Sequence, residues 1–185
     1  TWSSRRLEVT LGDSYVTWGR GLVLSLRKVD EFGVDTSVRG LSAILRVAGL
    51  TVNALGGWSN IVNVDPATGR AAADPNDVIL GGHADYRFGK WGTPGFNGSH
   101  VIYANAAVVG VQSTRAQVTT VSGTLEFPNL WKRGNLFAEY AVQRRQTQGT
   151  ELWSSAFYAS GSAWLGPLTL LLELKDYRNY SAIPT

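Results

Sequence analysis

The sequence predicts an all-β protein, an antiparallel transmembrane β-barrel with about ten strands in this chain. Apolar and polar residues alternate with a period of two along segments of about ten residues, as transmembrane strands require. No stretch shows the apolar spacing of a helix. Charged residues make up 17% of the 185 residues, below the roughly 25% of soluble domains, and Gly and Trp are frequent.

The leucine-rich segment near the end shows the pattern most clearly. In LTLLLELK the even-numbered leucines, 168–174, fall on one face of a strand, whereas Glu173 and Lys175 fall on the other. A helix would instead place both charges beside leucines. We therefore expect the leucines to face lipid and the charges to face the lumen, because a charge facing lipid at mid-membrane costs roughly 2–4 kcal/mol.

The other segments repeat this alternation and are bounded by Gly, Pro, Asn or Asp. In chain order, the ten predicted strands cover residues 6–11, 21–28, 41–47, 51–58, 80–88, 101–108, 120–127, 135–146, 152–165 and 168–177. In the second of them, GLVLSLRK, Leu22, Leu24 and Leu26 alternate with Ser25 and Arg27. We expect this segment to be a strand of the barrel wall like the rest.

The connections between these segments differ in length. Residues 48–50 and 165–167 form short links, whereas 63–78 form a long polar loop rich in Asp, Pro and Gly. Short turns at one end and long loops at the other are typical of bacterial outer-membrane barrels. With ten wall strands, the chain would begin and end on the long-loop side. We expect residues 1–185 to be one segment of a larger barrel, incomplete at one or both ends.

A soluble β-sandwich or lipocalin-like barrel, serving as a binding module, also alternates and is the alternative fold. Its solvated face would carry many Lys and Glu residues, whereas this polar face carries Gly, Ser, Thr and Asn. Tryptophans near predicted turns also favour the membrane, because aromatic residues form girdles at its two interfaces. These are Trp18, Trp58, Trp91, Trp131, Trp153 and Trp164.

Three stretches carry a resemblance to a known family. LGDSYVTWGRGLVLSLRKVDEFGVDTSVRG, GGWSNIVNVDPATG and LELKDYRNY together resemble a family of large Gram-negative outer-membrane β-barrels. In that family a GD…GRGL segment leads into the barrel and a KDYRN stretch ends a strand. The resemblance implies an outer-membrane location and a barrel longer than this chain, and it supplies no catalytic residue.

The predicted lumen face offers the candidate site residues. They are Glu8, Arg27, Arg46, His83, Asp85, Arg87, Glu139, Arg145, Glu173 and Lys175. His83, Asp85 and Arg87 form the tightest group, at every second position of one strand. They are either a patch that binds a substrate or ion, or a ladder of salt bridges that fixes strand register and fills the lumen.

Several functions are not expected. Two distant histidines and no cysteine argue against a metal site or a cofactor. No catalytic motif is present, so an enzyme is not predicted, and a formal charge of +3 gives no indication of nucleic acid binding.

Two roles in the outer membrane remain, both with the lipid bilayer as a partner. The first is a porin-like channel, whose polar lumen passes small polar solutes. The second is a structural anchor or scaffold with a plugged lumen, which holds a surface or periplasmic protein partner. Large inward side chains such as Tyr103, Phe137 and Tyr158 favour a filled lumen, and a wide barrel would leave water beside them.

Overall fold

The computed structural model describes residues 1–26, 28–29, 34–35, 37–59, 77–106, 114–130, 132–147 and 149–180. Within these residues the fold is all-β, as predicted, and the only helical element is a 3-10 turn at Gly89–Trp91. The strands are β1 Trp2–Ser3, β2 Leu7–Ser14, β3 Thr17–Trp18, β4 Leu24–Ser25, β5 Lys28–Val29, β6 Val34–Asp35, β7 Val38–Val47, β8 Leu50–Ser59, β9 Val78–Tyr86, β10 Thr93–Ala106, β11 Thr114–Leu130, β12 Gly134–Thr147, β13 Thr150–Leu165 and β14 Leu168–Arg178.

Ten of these strands form one antiparallel sheet. Their order is β1-β2-β7-β8-β9-β10-β11-β12-β13-β14, so that strands adjacent in the chain are adjacent in the sheet once β3 to β6 are set aside. Among the described residues the sheet is open, with β1 and β14 at its edges. The predicted antiparallel sheet is therefore confirmed, and its closure into a barrel belongs to the proposals below.

The two faces of the sheet differ as the alternation predicts. The outer face exposes large apolar side chains: Leu11 and Leu172, for example, are 80% and 76% exposed. The inner face, defined here as the face on which residues 16–26 pack, buries polar side chains such as Asn97, Ser122 and Glu139. A soluble sheet would bury its apolar face, so this distribution is inverted.

The prediction of a wall strand at 21–28 is wrong. Residues 16–26 fold into a short hairpin, the inner hairpin, in which β3 pairs with β4 and the Leu26 N–H donates to the Val16 carbonyl. The hairpin lies on the inner face, and Leu22, Val23 and Leu24 are all buried. Because consecutive residues are buried, neither face of this segment is exposed as one face of a wall strand would be.

The connections fit the predicted difference between the two ends of the sheet only in part, because the link between β12 and β13, at the long-loop end, is two residues long. The turns after β7 and β13 lie at one end, and both use left-handed backbone: φ is 48° at Ala48, 89° at Gly49 and 64° at Gly166. Residues 15–37, which include the inner hairpin, connect β2 to β7 at the other end. Residues 21–26 lie off the sheet, β2 begins at the short-turn end, and β1 pairs with it antiparallel.

The tryptophans divide into two groups. Trp58 and Trp153 lie towards the long-loop end, whereas Trp91 and Trp164 lie at the short-turn end, and all four are 44% to 74% exposed. Trp18 is an exception to the predicted girdle, since only 3% of it is exposed and it packs within the inner hairpin's core. Trp131 lies outside the described residues.

Candidate functional site on the inner face

The inner hairpin is held first by apolar packing. Trp18, Val23, Leu24 and Leu26 form one buried cluster with side chains of the sheet, among them Ile79 and Val101. Gly81 on β9 makes room for the Trp18 ring, because a Cβ at that position would lie 2.4 Å from Trp18 Cζ3. A hairpin with apolar side chains on both faces therefore covers a sheet face that is otherwise polar.

Glu139 on β12 is the polar anchor of the hairpin. Its side chain is 1% exposed, and Oε2 accepts a 2.8 Å hydrogen bond from the Arg20 backbone N–H. Gly19 has a φ of +61° and lies so close that an added Cβ would be 2.4 Å from both carboxylate oxygens. Glycine is therefore required here both by the backbone conformation and by the contact.

The Arg20 guanidinium and two aromatic rings extend this anchor. The guanidinium carbon lies 5.0 Å from the centre of the Phe137 ring and 5.9 Å from that of Tyr158, which are cation–π distances. The Tyr158 hydroxyl donates to Glu173 at 2.7 Å, and Lys175 pairs with the same carboxylate at 3.2 Å. The predicted pair Glu173–Lys175 thus lies on the inner face, next to the ring that holds Arg20.

Tyr180, just after β14, also binds the inner hairpin. Its hydroxyl donates to the Leu22 carbonyl of the hairpin, and the residue packs against the Leu22 cluster. Burial, and to a lesser extent the negative charge of Glu139, raises the pKa of the Tyr180 phenol. The phenol thus stays a neutral donor well into the alkaline range.

A continuous chain of side-chain hydrogen bonds leads from Glu139 across three further strands. Ser122 Oγ donates to Glu139 Oε1 at 2.8 Å, and Asn97 Nδ2 donates to Ser122 Oγ at 2.9 Å. Asn97 Oδ1 lies 2.6 Å from His83 Nδ1, and His83 Nε2 lies 2.9 Å from Asp85 Oδ2. Since an amide oxygen and a carboxylate oxygen both only accept, His83 donates from Nδ1 to Asn97 and from Nε2 to Asp85, so each ring nitrogen carries a proton in this arrangement.

The far end of this chain opens into a cleft of about 510 Å³. Its lining includes His83, Asp85 and Arg87, together with Glu126 on β11 and Phe137 on β12. The His83 and Asp85 side chains are 22% and 25% exposed, so they are accessible from the cleft. The structure therefore brings the three predicted residues of β9 to one cavity beside the hairpin.

Other predicted residues lie apart from this site. Glu8 and Arg46 form an exposed ion pair, 3.5 Å long, between β2 and β7. Arg145 is half-buried on β12, six positions beyond Glu139 on the same face. Arg27 lies outside the described residues.

Sequence reasoning missed Arg20, Asn97 and Ser122. The alternation places Ser122 on the polar face with Glu139, so its orientation was available, whereas Asn97 lies before the predicted strand 101–108 and belongs to β10 in the structure. Their contacts were not available, because hydrogen bonds between strands depend on register, which the tertiary structure fixes. The register places His83, Asn97 and Ser122 opposite one another on β9, β10 and β11.

The described residues hold no group of three or more His, Asp or Glu side chains that could bind a metal ion. They also include no helix long and apolar enough to cross a membrane. Comparison with family models, curated proteins and solved structures finds no match for the chain.

Proposed function

We propose that the chain forms part of the wall of an outer-membrane β-barrel and that the inner hairpin plugs the lumen beside it. The distribution of side chains carries this proposal: the outer face exposes large apolar side chains, and the inner face is polar outside the apolar cluster that packs against the hairpin. Soluble proteins rarely expose an apolar surface of this extent, whereas lipid requires one.

The dimensions of the sheet also support a membrane location. The strands from β7 to β14 have 9 to 17 residues, and about 9–11 residues suffice to cross a bilayer. Lipid does not tolerate unpaired backbone groups, so the edges at β1 and β14 need further strands. We propose that these strands close the barrel.

The packing of the inner hairpin favours the structural anchor over the open channel. Ser99 donates to the Val23 carbonyl at 3.0 Å, and Glu139 accepts from Arg20, so polar groups of the inner face bind the hairpin instead of water. A sealed lumen fits a protein that holds a partner at the membrane. The cleft beside the hairpin supports the second candidate, a channel for small polar solutes that conducts when the hairpin moves.

Reconstitution into planar bilayers tests these roles. The anchor predicts membrane insertion without conductance, and a variant that weakens hairpin docking, Glu139→Ala, would then conduct. Steady conductance of the unmodified protein would establish the channel instead. A protein that stays monodisperse in buffer without detergent would refute the membrane location and favour the soluble binding module.

A further inference from the structure

We propose that the cleft next to the inner hairpin binds a small zwitterion, of the size of a di- or tripeptide, and that binding loosens the hairpin. The inference rests on the proposed function, since it describes how the plug would be released. It combines two observations: the charges that line the cleft, and the hydrogen-bond chain that joins the cleft to Glu139.

The charges of the cleft define the class of ligand. Arg87 directly follows β9, and continuing the register of β9 with β10 by two residues places it opposite Thr93, which pairs with Glu126 on β11. The backbone positions of these opposite charges are therefore two strand spacings apart, with Thr93 between them. Two spacings are about 10 Å. Among the described residues, neither Arg87 nor Glu126 has an ion-pair partner.

A short peptide with free termini matches this arrangement. Its carboxylate would pair with the planar Arg87 guanidinium, and its ammonium group would lie between Glu126 and Asp85, two carboxylates that line the same cleft. Two or three extended residues span at most about 7–11 Å, close to the separation of the two strands. The volume of about 510 Å³ suits a ligand of this size, and the Phe137 ring offers an apolar wall for its side chains.

The coupling follows from the direction of the hydrogen bonds. Asp85 lies two residues before Arg87 in the same cleft, and its carboxylate now holds His83 Nε2. A ligand ammonium group that attracts Asp85 would free His83 to turn. The Asn97 side-chain oxygen would then lose the hydrogen bond that His83 donates to it, and the amide could flip. After the flip, the Asn97 N–H would no longer donate to Ser122, and this N–H now orients the Ser122 hydroxyl towards Glu139.

The chain therefore has two arrangements that a ligand can distinguish. In one, Asp85 binds His83, and Glu139 is fully engaged with Ser122 and the hairpin. In the other, Asp85 binds the ligand, and Glu139 loses one donor. A ligand shifts such an equilibrium only through different affinities for the two states, which the competition for Asp85 provides.

Trialanine is the probe, and N-acetyl-trialanine amide, which lacks both charges, is its matched control. Saturation-transfer NMR on the reconstituted protein should detect binding of trialanine and not of the neutral analogue. Arg87→Gln should weaken binding by at least about tenfold, since it removes a charge-assisted contact. Equal binding of both peptides, or no binding of either, would refute the site.

The coupling is measured with a single cysteine, because the chain has none of its own. Leu22→Cys places a thiol in the hairpin at a position that is 5% exposed, and Leu171→Cys, at an 80% exposed position, gives the rate of full accessibility. Trialanine should raise the labelling rate of Leu22→Cys by about fivefold or more, the usual size of an allosteric effect.

Ser122→Ala should abolish this rise, because it breaks the chain while leaving the cleft charges in place. Asn97→Ser breaks the same chain elsewhere and serves if the first variant folds poorly, and Ser42→Ala, a buried serine outside the chain, should retain the response. Binding without a change in labelling, or a response that survives both chain-breaking variants, would refute the coupling. Labelling of Leu22→Cys at the reference rate without ligand would refute the docked plug and leave the NMR result on the cleft unaffected.

Discussion

Gly19→Ala should destabilise the protein far more than an alanine at another left-handed glycine. At Gly19 the φ of +61° costs an alanine about 1–2 kcal/mol. In addition, the new Cβ would lie 2.4 Å from both oxygens of the buried Glu139 carboxylate, which must move away and release the Arg20 N–H. A hydrogen bond to a charged group contributes about 1.5–3 kcal/mol, so the whole loss is about 2.5–5 kcal/mol.

Gly89→Ala is the matched control, because Gly89 has a φ of +60° and no heavy atom within 4 Å of the position of an added Cβ. It should cost only the backbone term of about 1–2 kcal/mol. Denaturant unfolding of both variants in lipid vesicles, followed by tryptophan fluorescence, measures the difference. Variants that differ by less than about 0.5 kcal/mol would refute the contact between the hairpin and Glu139. If the contact exists, Glu139→Ala should relieve part of the cost in the double variant.

Two further substitutions test the packing and the hydrogen-bond chain. Gly81→Ala should lower the free energy of unfolding by about 1–3 kcal/mol, because the added Cβ overpacks against Trp18. The control is Gly82→Ala, whose Cβ would meet nothing closer than 3.6 Å and which should stay within about 0.5 kcal/mol of the unmodified protein. Equal unfolding free energies of the two variants would show that Trp18 does not pack against Gly81. Ser122→Ala should lower the free energy of unfolding by about 1–3 kcal/mol in the same assay, because the buried Glu139 carboxylate loses a hydrogen-bond donor. No change in stability would mean that water or another group replaces the hydroxyl.

The faces of the sheet could be predicted from the sequence because the period of two is a property of extended backbone. His83, Asp85, Glu139 and the pair Glu173–Lys175 all lie on the predicted polar side. The same reasoning failed at GLVLSLRK, which also alternates but contributes β4 to the inner hairpin and no strand to the ten-stranded sheet. Extended backbone has one period in a wall strand and in a plug hairpin, so alternation alone does not separate them.

The apolar run of the hairpin is not a signal that separates it from the sheet. Residues 22–24 are apolar without interruption, and the structure buries all three, but 78–80 in β9 and 170–172 in β14 are equally apolar. Gly19 and Gly21, with φ of +61° and +81°, turn the chain on itself just before residues 22–24.

The arrangement of the site was less accessible to sequence reasoning. Glu139 was predicted as an isolated inward carboxylate, and its partners come from residues 20 and 122, which are 119 and 17 positions away in the chain. Such contacts depend on which strands are neighbours and on their register. The alternation of a single strand contains neither kind of information.

The central claim, that the outer face lies in lipid, is tested most directly by placing a lysine on each face of β14. Leu171 and Leu172 are adjacent and are 80% and 76% exposed, but they point to opposite faces. If the outer face lies in lipid, Leu172→Lys should lower the free energy of unfolding from bilayers by roughly 2–4 kcal/mol, and Leu171→Lys should change it by less than about 0.5 kcal/mol. Equal effects of the two lysines would contradict the membrane location of this sheet.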